Sequence, residues 1–188
     1  MNKKEIQQRV LQNGKPLDLN KFEWDEKTNT FSSSEDNLVL DFRWIDGCTF
    51  NTGYNCTFNT GSDCIFDTGS DCTFNTGSDC TFNTGSDCTF NTGFDCTFNT
   101  CSDCTFNTGS YCTFNTGSNC TFNTGSECVV VRRDVYEVIE LEEGKKIKLN
   151  DYGIEGYTEV NNKKSELLKK ADELISKAQE LKDEANKL

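Results

Sequence analysis

Histidine is missing from all 188 residues. That excludes imidazole-based triads, histidine–metal sites and the commonest proton shuttles. Lysine and arginine are missing from residues 48–128, which carry eight acidic side chains and account for most of the net charge of −12. Phosphate backbones and anionic lipid surfaces both need a basic face, so neither nucleic acid nor membrane is expected as a partner. Long apolar runs are missing too. Nothing approaches the ~18 apolar residues of a membrane span. The start, Met1 to Val10, lacks the apolar core of a signal peptide. A large globular core is not expected from an apolar content of 34% and a mean hydropathy of −0.65. No glycine-rich phosphate loop occurs, because the recurring Thr-Gly-Ser lacks the spacing and the lysine. No cofactor, metal or catalytic group is expected.

What is present is a repeat. From residue 48 the chain cycles through Cys-Thr-Phe-Asn-Thr-Gly-Ser-Asp. Cysteine recurs at Cys48, Cys56, Cys64, Cys72, Cys80, Cys88, Cys96, Cys104, Cys112, Cys120 and Cys128. Phenylalanine follows two positions later, at Phe50, Phe58, Phe66, Phe74, Phe82, Phe90, Phe98, Phe106, Phe114 and Phe122. A fixed short period of this kind signals a solenoid, in which each unit contacts only its neighbours.

The strand period of two puts Cys, Phe and the second Thr of each unit on one face, and the first Thr and Asn on the other. The apolar Cys and Phe must face inward. Gly-Ser-Asp reads as a corner, with Gly expected to supply positive φ and Ser and Asp to bond nearby backbone. Eight residues cannot close a coil around a phenyl ring. Packed sheets lie ~10 Å apart, so a coil needs two strands and two corners, or about sixteen residues. The expected fold is an all-β solenoid with two sides, about 16 residues per coil and about five coils in the repeat. A three-sided coil leaves an incomplete number of turns.

Without a signal sequence the twelve cysteines read as thiols, expected to fill the core as small apolar groups. Neighbouring rungs hold their Cβ atoms too far apart for a disulfide, and a single-file column does not converge as tetrahedral zinc requires. Cys101 replaces a corner glycine. It is expected to be exposed and is the candidate reactive thiol.

Two surface ranks invite a binding role. Corner acids stack along the rod: Asp63, Asp79, Asp95 and Glu127 on one edge, Asp71, Asp87 and Asp103 on the other. They are expected to bond turn amides; calcium binding and acidic mimicry of nucleic acid are the alternatives. The outward rank Thr49, Thr57, Thr73, Thr81, Thr89, Thr97, Thr105, Thr113 and Thr121 is similar in period and regularity to insect antifreeze solenoids and bacterial ice-nucleation repeats, though it lacks their paired Thr-x-Thr face. Threonine is also an ordinary strand-surface residue.

The flanks divide into an N-terminal cap (1–47), a C-terminal β cap (129–162) and a helix (163–188). Lys4 to Gln12 is expected to be helical, and Leu38 to Ile45 a strand. Val129 to Val131 extends the last rung. Val135 to Leu141 and Lys146 to Leu149 are expected to form a hairpin, and Ile154 to Val160 to add a strand. In the helix, Leu167, Ala171, Leu174, Ala178, Leu181, Ala185 and Leu188 alternate by four and three. That is a coiled-coil seam, implying self-association.

The octapeptide resembles tandem repeats in uncharacterised proteins of phages, large viruses and aquatic microbes. The resemblance covers residues 48–128 and touches Val129 to Leu141. It implies a β-solenoid carried on a virion, and it carries over no active site. The expected function is a non-enzymatic structural or display rod, cytoplasmic or associated with a virion or filament, and tethered or oligomerised by its C-terminal helix. An ice-binding surface and an acidic or calcium-binding rod are the alternatives.

Overall fold

In each unit a short strand, Thr-Phe-Asn in all but Ile65–Asp67, buries its phenylalanine, and a corner built on the Gly-Ser-Asp pattern turns the chain onto the opposite sheet. A computed structural model describes residues 1–160 together with 171, 174, 175, 177 and 179. Residues 1–158 form one compact unit and 159–188 a second.

The chain opens with a short helix, α1 (Lys3–Gln7). Asn2 caps it, accepting from Glu5 N–H at 3.1 Å while the Glu5 carboxylate accepts from Asn2 N–H at 2.9 Å. The helix expected as far as Gln12 stops there. Val10 and Leu11 lie instead in β1 (Val10–Gln12), which turns at Asn13-Gly14 into β2 (Lys15–Pro16). Strand β3 (Glu23–Asp25) pairs antiparallel with β4 (Thr30–Ser32), and β5 (Leu38–Phe42) pairs antiparallel with β1.

Ten repeat strands follow: β6 (Thr49–Asn51), β7 (Thr57–Thr60), β8 (Ile65–Asp67), β9 (Thr73–Asn75), β10 (Thr81–Asn83), β11 (Thr89–Asn91), β12 (Thr97–Asn99), β13 (Thr105–Asn107), β14 (Thr113–Thr116) and β15 (Thr121–Asn123). Odd-numbered strands stack in one parallel sheet and even-numbered strands in the other. Like pairs with like, as in Thr81↔Thr97, Phe82↔Phe98 and Asn83↔Asn99. The coil repeat is 16 residues. Both β4 and β5 already pair parallel with the repeat, through Phe31↔Phe50 and Leu40↔Phe58. The solenoid therefore has about six coils rather than five.

At the far end β16 (Cys128–Arg132) forms the last parallel rung on β14. Strand β17 (Glu137–Leu141) folds back antiparallel on β16, while β18 (Lys146–Leu149) lies antiparallel on β15 in the other sheet. The hairpin expected between Val135–Leu141 and Lys146–Leu149 does not form. The true hairpin turns at Arg133 to Tyr136, and each sheet receives its own antiparallel lid. Strand β19 (Tyr157–Glu159) lies beside β18.

The core is two phenylalanine columns. Along each, rings stack 4.8–5.2 Å apart, as in Phe66–Phe82 and Phe82–Phe98. Between columns they meet edge to face, as in Phe82–Phe90 at 5.2 Å and 76°. Each buried ring contributes roughly 2–3 kcal/mol, and favourable ring pairs about 0.5–1.5 kcal/mol more. Through the middle of the rod, successive rings in a column tilt by only 3–4°. Ordinary sheets rotate by ~20–25° per strand, so these strands stack almost without twist.

Most of the helix expected at 163–188 lies outside the described residues, as do its seam positions Leu167, Ala178, Leu181, Ala185 and Leu188. Of the described positions there, Leu174 and Ile175 are exposed.

Candidate functional site

The corners work differently from their sequence reading. Positive φ falls on the Asp position rather than on the repeat glycine: Asp63, Asp71, Asp79, Asp87, Asp95 and Asp103 all lie between 55° and 61°, and Asn, Tyr111 and Glu127 take the same conformation at equivalent places. Short polar side chains tolerate that region best, which explains the Asp/Asn majority. Their carboxylates, expected to bond turn amides, instead stand exposed to solvent.

Glycine is needed for close approach. A Cβ on Gly85 would overlap Ser70 Oγ from the coil below. That hydroxyl accepts Ser86 N–H at 3.0 Å, and the same bond joins Ser78 N–H to Ser62 and Ser126 N–H to Ser110. Glycine and serine thus form one coil-to-coil device. Where Cys101 replaces the glycine, Ser102 N–H makes no such bond to Ser86, and its hydroxyl pairs with Ser118 at 3.4 Å. Cys101 is exposed and the other eleven cysteines are buried.

The first coil receives the device from acids. Asp36 Oδ1 accepts Tyr54 N–H at 2.8 Å and Asp46 Oδ1 accepts Ser62 N–H at 2.7 Å. Asp36 and Asp46 hold the serine place, and Asn37 and Gly47, at φ 59° and 65°, hold the Asp place. Asp36 to Phe42 is a degenerate stretch of the repeat in which, beyond these corner places, only the apolar alternation survives. Sequence reading missed both aspartates; the Asp-Gly-Cys step into Cys48 was their one visible signal.

All cysteines and phenylalanines named from the repeat are buried, at 1% exposure or less. Each core thiol donates to nearby carbonyls, as Cys80 does to Ser78 O at 3.3 Å and Gly61 O at 3.9 Å. The hydrogen-bonded neighbour Cys104 and then burial push Cys88 up to about 11, and Cys120 and burial push Cys104 up to about 12. Cys64 and Cys96 are drawn downward by bonds received from the thiols on both sides. Even there a thiolate would lie among phenyl rings, in a repeat that holds no lysine or arginine, so dry burial favours the protonated column. Among the described residues no group of three or more His, Cys, Asp or Glu is placed to hold a metal ion, and no helix is long and apolar enough to cross a membrane.

The outward threonines lie at exposed or half-buried positions on both sheets. They alternate along each strand with an asparagine ladder. Asn75, Asn91, Asn107 and Asn123 each donate Nδ2 to the Oδ1 one coil below, at 2.8–3.4 Å. That ladder is unbroken on the odd-numbered sheet. The even-numbered sheet is interrupted by Ile65, by Asp67, which accepts from Asn83, and by Arg133, which bonds Asn99 and Thr100.

No family model, curated protein or solved structure matches this chain.

Two exposed aromatics escaped the sequence reading. The strand expected to reach Ile45 ends at Phe42, and Trp44 turns outward at φ 67°, 94% exposed. It adjoins the Arg43–Asp41 ion pair and a shallow depression lined by Asp46, Ser62 and Asn75. Tyr136 stands out at the far turn, 92% exposed.

The C-terminal end is closed by Arg132. It holds the register place of the inward threonines, pairing with Thr116. With no further repeat coil above it, the long side chain turns over the end of the core and is fully buried. It pairs with Asp134 at 2.7 Å and donates to the carbonyls of Ile154, Gly156, Asn150 and Asp151. Burial pushes the Asp134 carboxyl up, and the Arg132 and Gly153 donors outweigh it, holding Asp134 below the usual range.

Proposed function

We propose that this chain is a non-enzymatic structural rod that presents its side faces, tethered or oligomerised through residues 163–188. The observation that carries the reading is the coil-to-coil construction. Phenyl columns, thiol columns, asparagine ladder and glycine–serine corners all repeat at 16 residues. The repeat spends its side chains on rigidity and uniform presentation. Attachment to a virion or filament fits such a rod, and the Leu/Ala seam supplies the tether.

The test is sedimentation of the full chain and of Leu174→Lys/Leu181→Lys. A charge in a coiled-coil seam must be buried against a partner helix. Wild type is expected to sediment as an oligomer, and the double variant as a monomer with its β-rich circular dichroism intact. A monomeric wild type would remove the tether from the proposal.

A further inference from the structure

The two sheet faces are not equivalent. On the odd-numbered sheet the outward positions are Thr57, Thr73, Thr89, Thr105 and Thr121, each followed two residues later by asparagine. None of these ten side chains ionises. Every acid of residues 48–128 except Asp67 stands at a corner, and Asp67 lies on the opposite sheet. The carboxamides are pinned by their own ladder. Each keeps one N–H pointing away from that ladder, and the five threonine hydroxyls make no hydrogen bond to another described residue. The result is a flat, rigid, uncharged array of donors and acceptors with two ranks per strand.

Flatness is the second observation. Ring planes beneath this face tilt by 3–4° per coil from Phe58 to Phe106, so the ranks run straight instead of spiralling out of register. The rung repeat of ~4.8 Å is close to the repeat of equivalent oxygens along the a axis of hexagonal ice. A soluble ligand gains nothing from five identical rows, and a charged polymer finds no counter-charge within those rows. A lattice of hydrogen-bonding oxygens gains at every row, and the ionic groups of this sheet stand only at its ends, Asp41 beside Asn59 and Lys146 and Lys148 beside Asn123 and Thr121.

We propose that this Thr/Asn face binds ice, its occupant being the water lattice at a crystal surface. The inference rests on the rod reading, because only a rigid rod keeps the rows aligned.

The experiment measures ice recrystallisation and partition into a slowly growing ice front, using the full chain. Wild type is expected to enter the ice and keep crystals small. Thr89→Lys/Thr105→Lys, which places charges mid-face, is expected to lose both effects. Thr81→Lys/Thr97→Lys, on the interrupted opposite sheet, is expected to keep them. Should the lysine pair weaken the β signal, Thr89→Tyr/Thr105→Tyr takes its place, since tyrosine suits a strand. A β-rich wild type that stays excluded from ice overturns this inference and leaves the rod reading standing. Equal loss from both faces, in folded protein, overturns the face assignment. Pairing of two copies through this face, together with exclusion from ice, also overturns the inference.

Discussion

At the residue scale the corner shows how one position's identity is fixed by another. Gly85 must lack a Cβ because Ser70 Oγ fills that place, with the Ser70 backbone close behind it, and Ser70 Oγ sits there because it accepts Ser86 N–H. Gly85→Ala should therefore cost about 1–3 kcal/mol by overpacking. Ser70→Ala should cost about 0.5–1.5 kcal/mol for the lost bond. In the double variant the closest clash is gone and only the milder approach to the Ser70 backbone remains, so its loss should fall short of the sum of the two single losses by more than ~0.5 kcal/mol. Denaturant unfolding of the four proteins measures this, and strict additivity would sink the coupled corner. The sequence shows the Gly-Ser pairing as a motif but not its meaning. Positive φ was assigned to glycine because glycine takes it most readily, whereas the adjacent Asp/Asn place takes it here. The real constraint on glycine comes from a residue fifteen places earlier, on another coil, and no local rule reads that.

At the scale of the element, the coil was legible and the caps were not. Eight-residue periodicity and strand alternation together determine two sides, inward Phe and Cys, and outward Thr and Asn. In the flanks the pattern thins to a few apolar residues. Val10 then reads equally as helix or strand, and β17 and β18 look like partners of each other when each is the lid of a different sheet. Arg132 was invisible as a cap because its burial depends on being the end of the stack. Replacing it with Met would leave Asp134 and several carbonyls without their shared donor. Breaking such a buried pair costs about 3–5 kcal/mol. The loss should be local: amide exchange across residues 133–156 should quicken while the β9–β13 amides stay protected, and uniform quickening would contradict a separate cap. Acidity acts on these elements with opposite signs. Partial desolvation at the corner, followed by repulsion from Asp63 and Asp95, pushes the exposed Asp79 carboxyl above its usual range. The folded chain therefore binds that proton first, and stability rises as pH falls through the raised value. Asp134 is held low, so its contribution is present above the usual aspartate range and is lost as pH falls below it. Melting temperature should thus pass through a maximum on mild acidification before falling. Asp79→Asn should flatten the rising limb alone; an unchanged limb would show that the corner rank does not govern it.

The whole molecule has two different repeat lengths, and an insertion separates them. Contacts repeat every eight residues, because both sheets carry the same unit and each unit touches only its neighbours along and across the rod. Orientation repeats every 16 residues, because a full coil is needed to return to the same sheet. In a stack whose stability is a sum of units and nearest-neighbour interfaces, one extra Cys-Thr-Phe-Asn-Thr-Gly-Ser-Asp after Asp87 should be accepted, since every local environment, including that of the Arg132 cap, is rebuilt half a turn on. The melting temperature should hold or rise. The C-terminal cap should then point to the opposite side of the rod from its original direction relative to the N-terminal cap. Two extra octapeptides should restore the direction and lengthen the rod by ~4.8 Å. Four extra residues should fail, because they would put corner residues under strand positions in the coil below and turn a phenylalanine out of the core. Thermal unfolding distinguishes four residues from eight. A distance between spin labels at Asn20 and Tyr136 distinguishes eight from sixteen, and labels that report the same cap-to-cap geometry in both would mean that the coil does not alternate between two sides as the register requires.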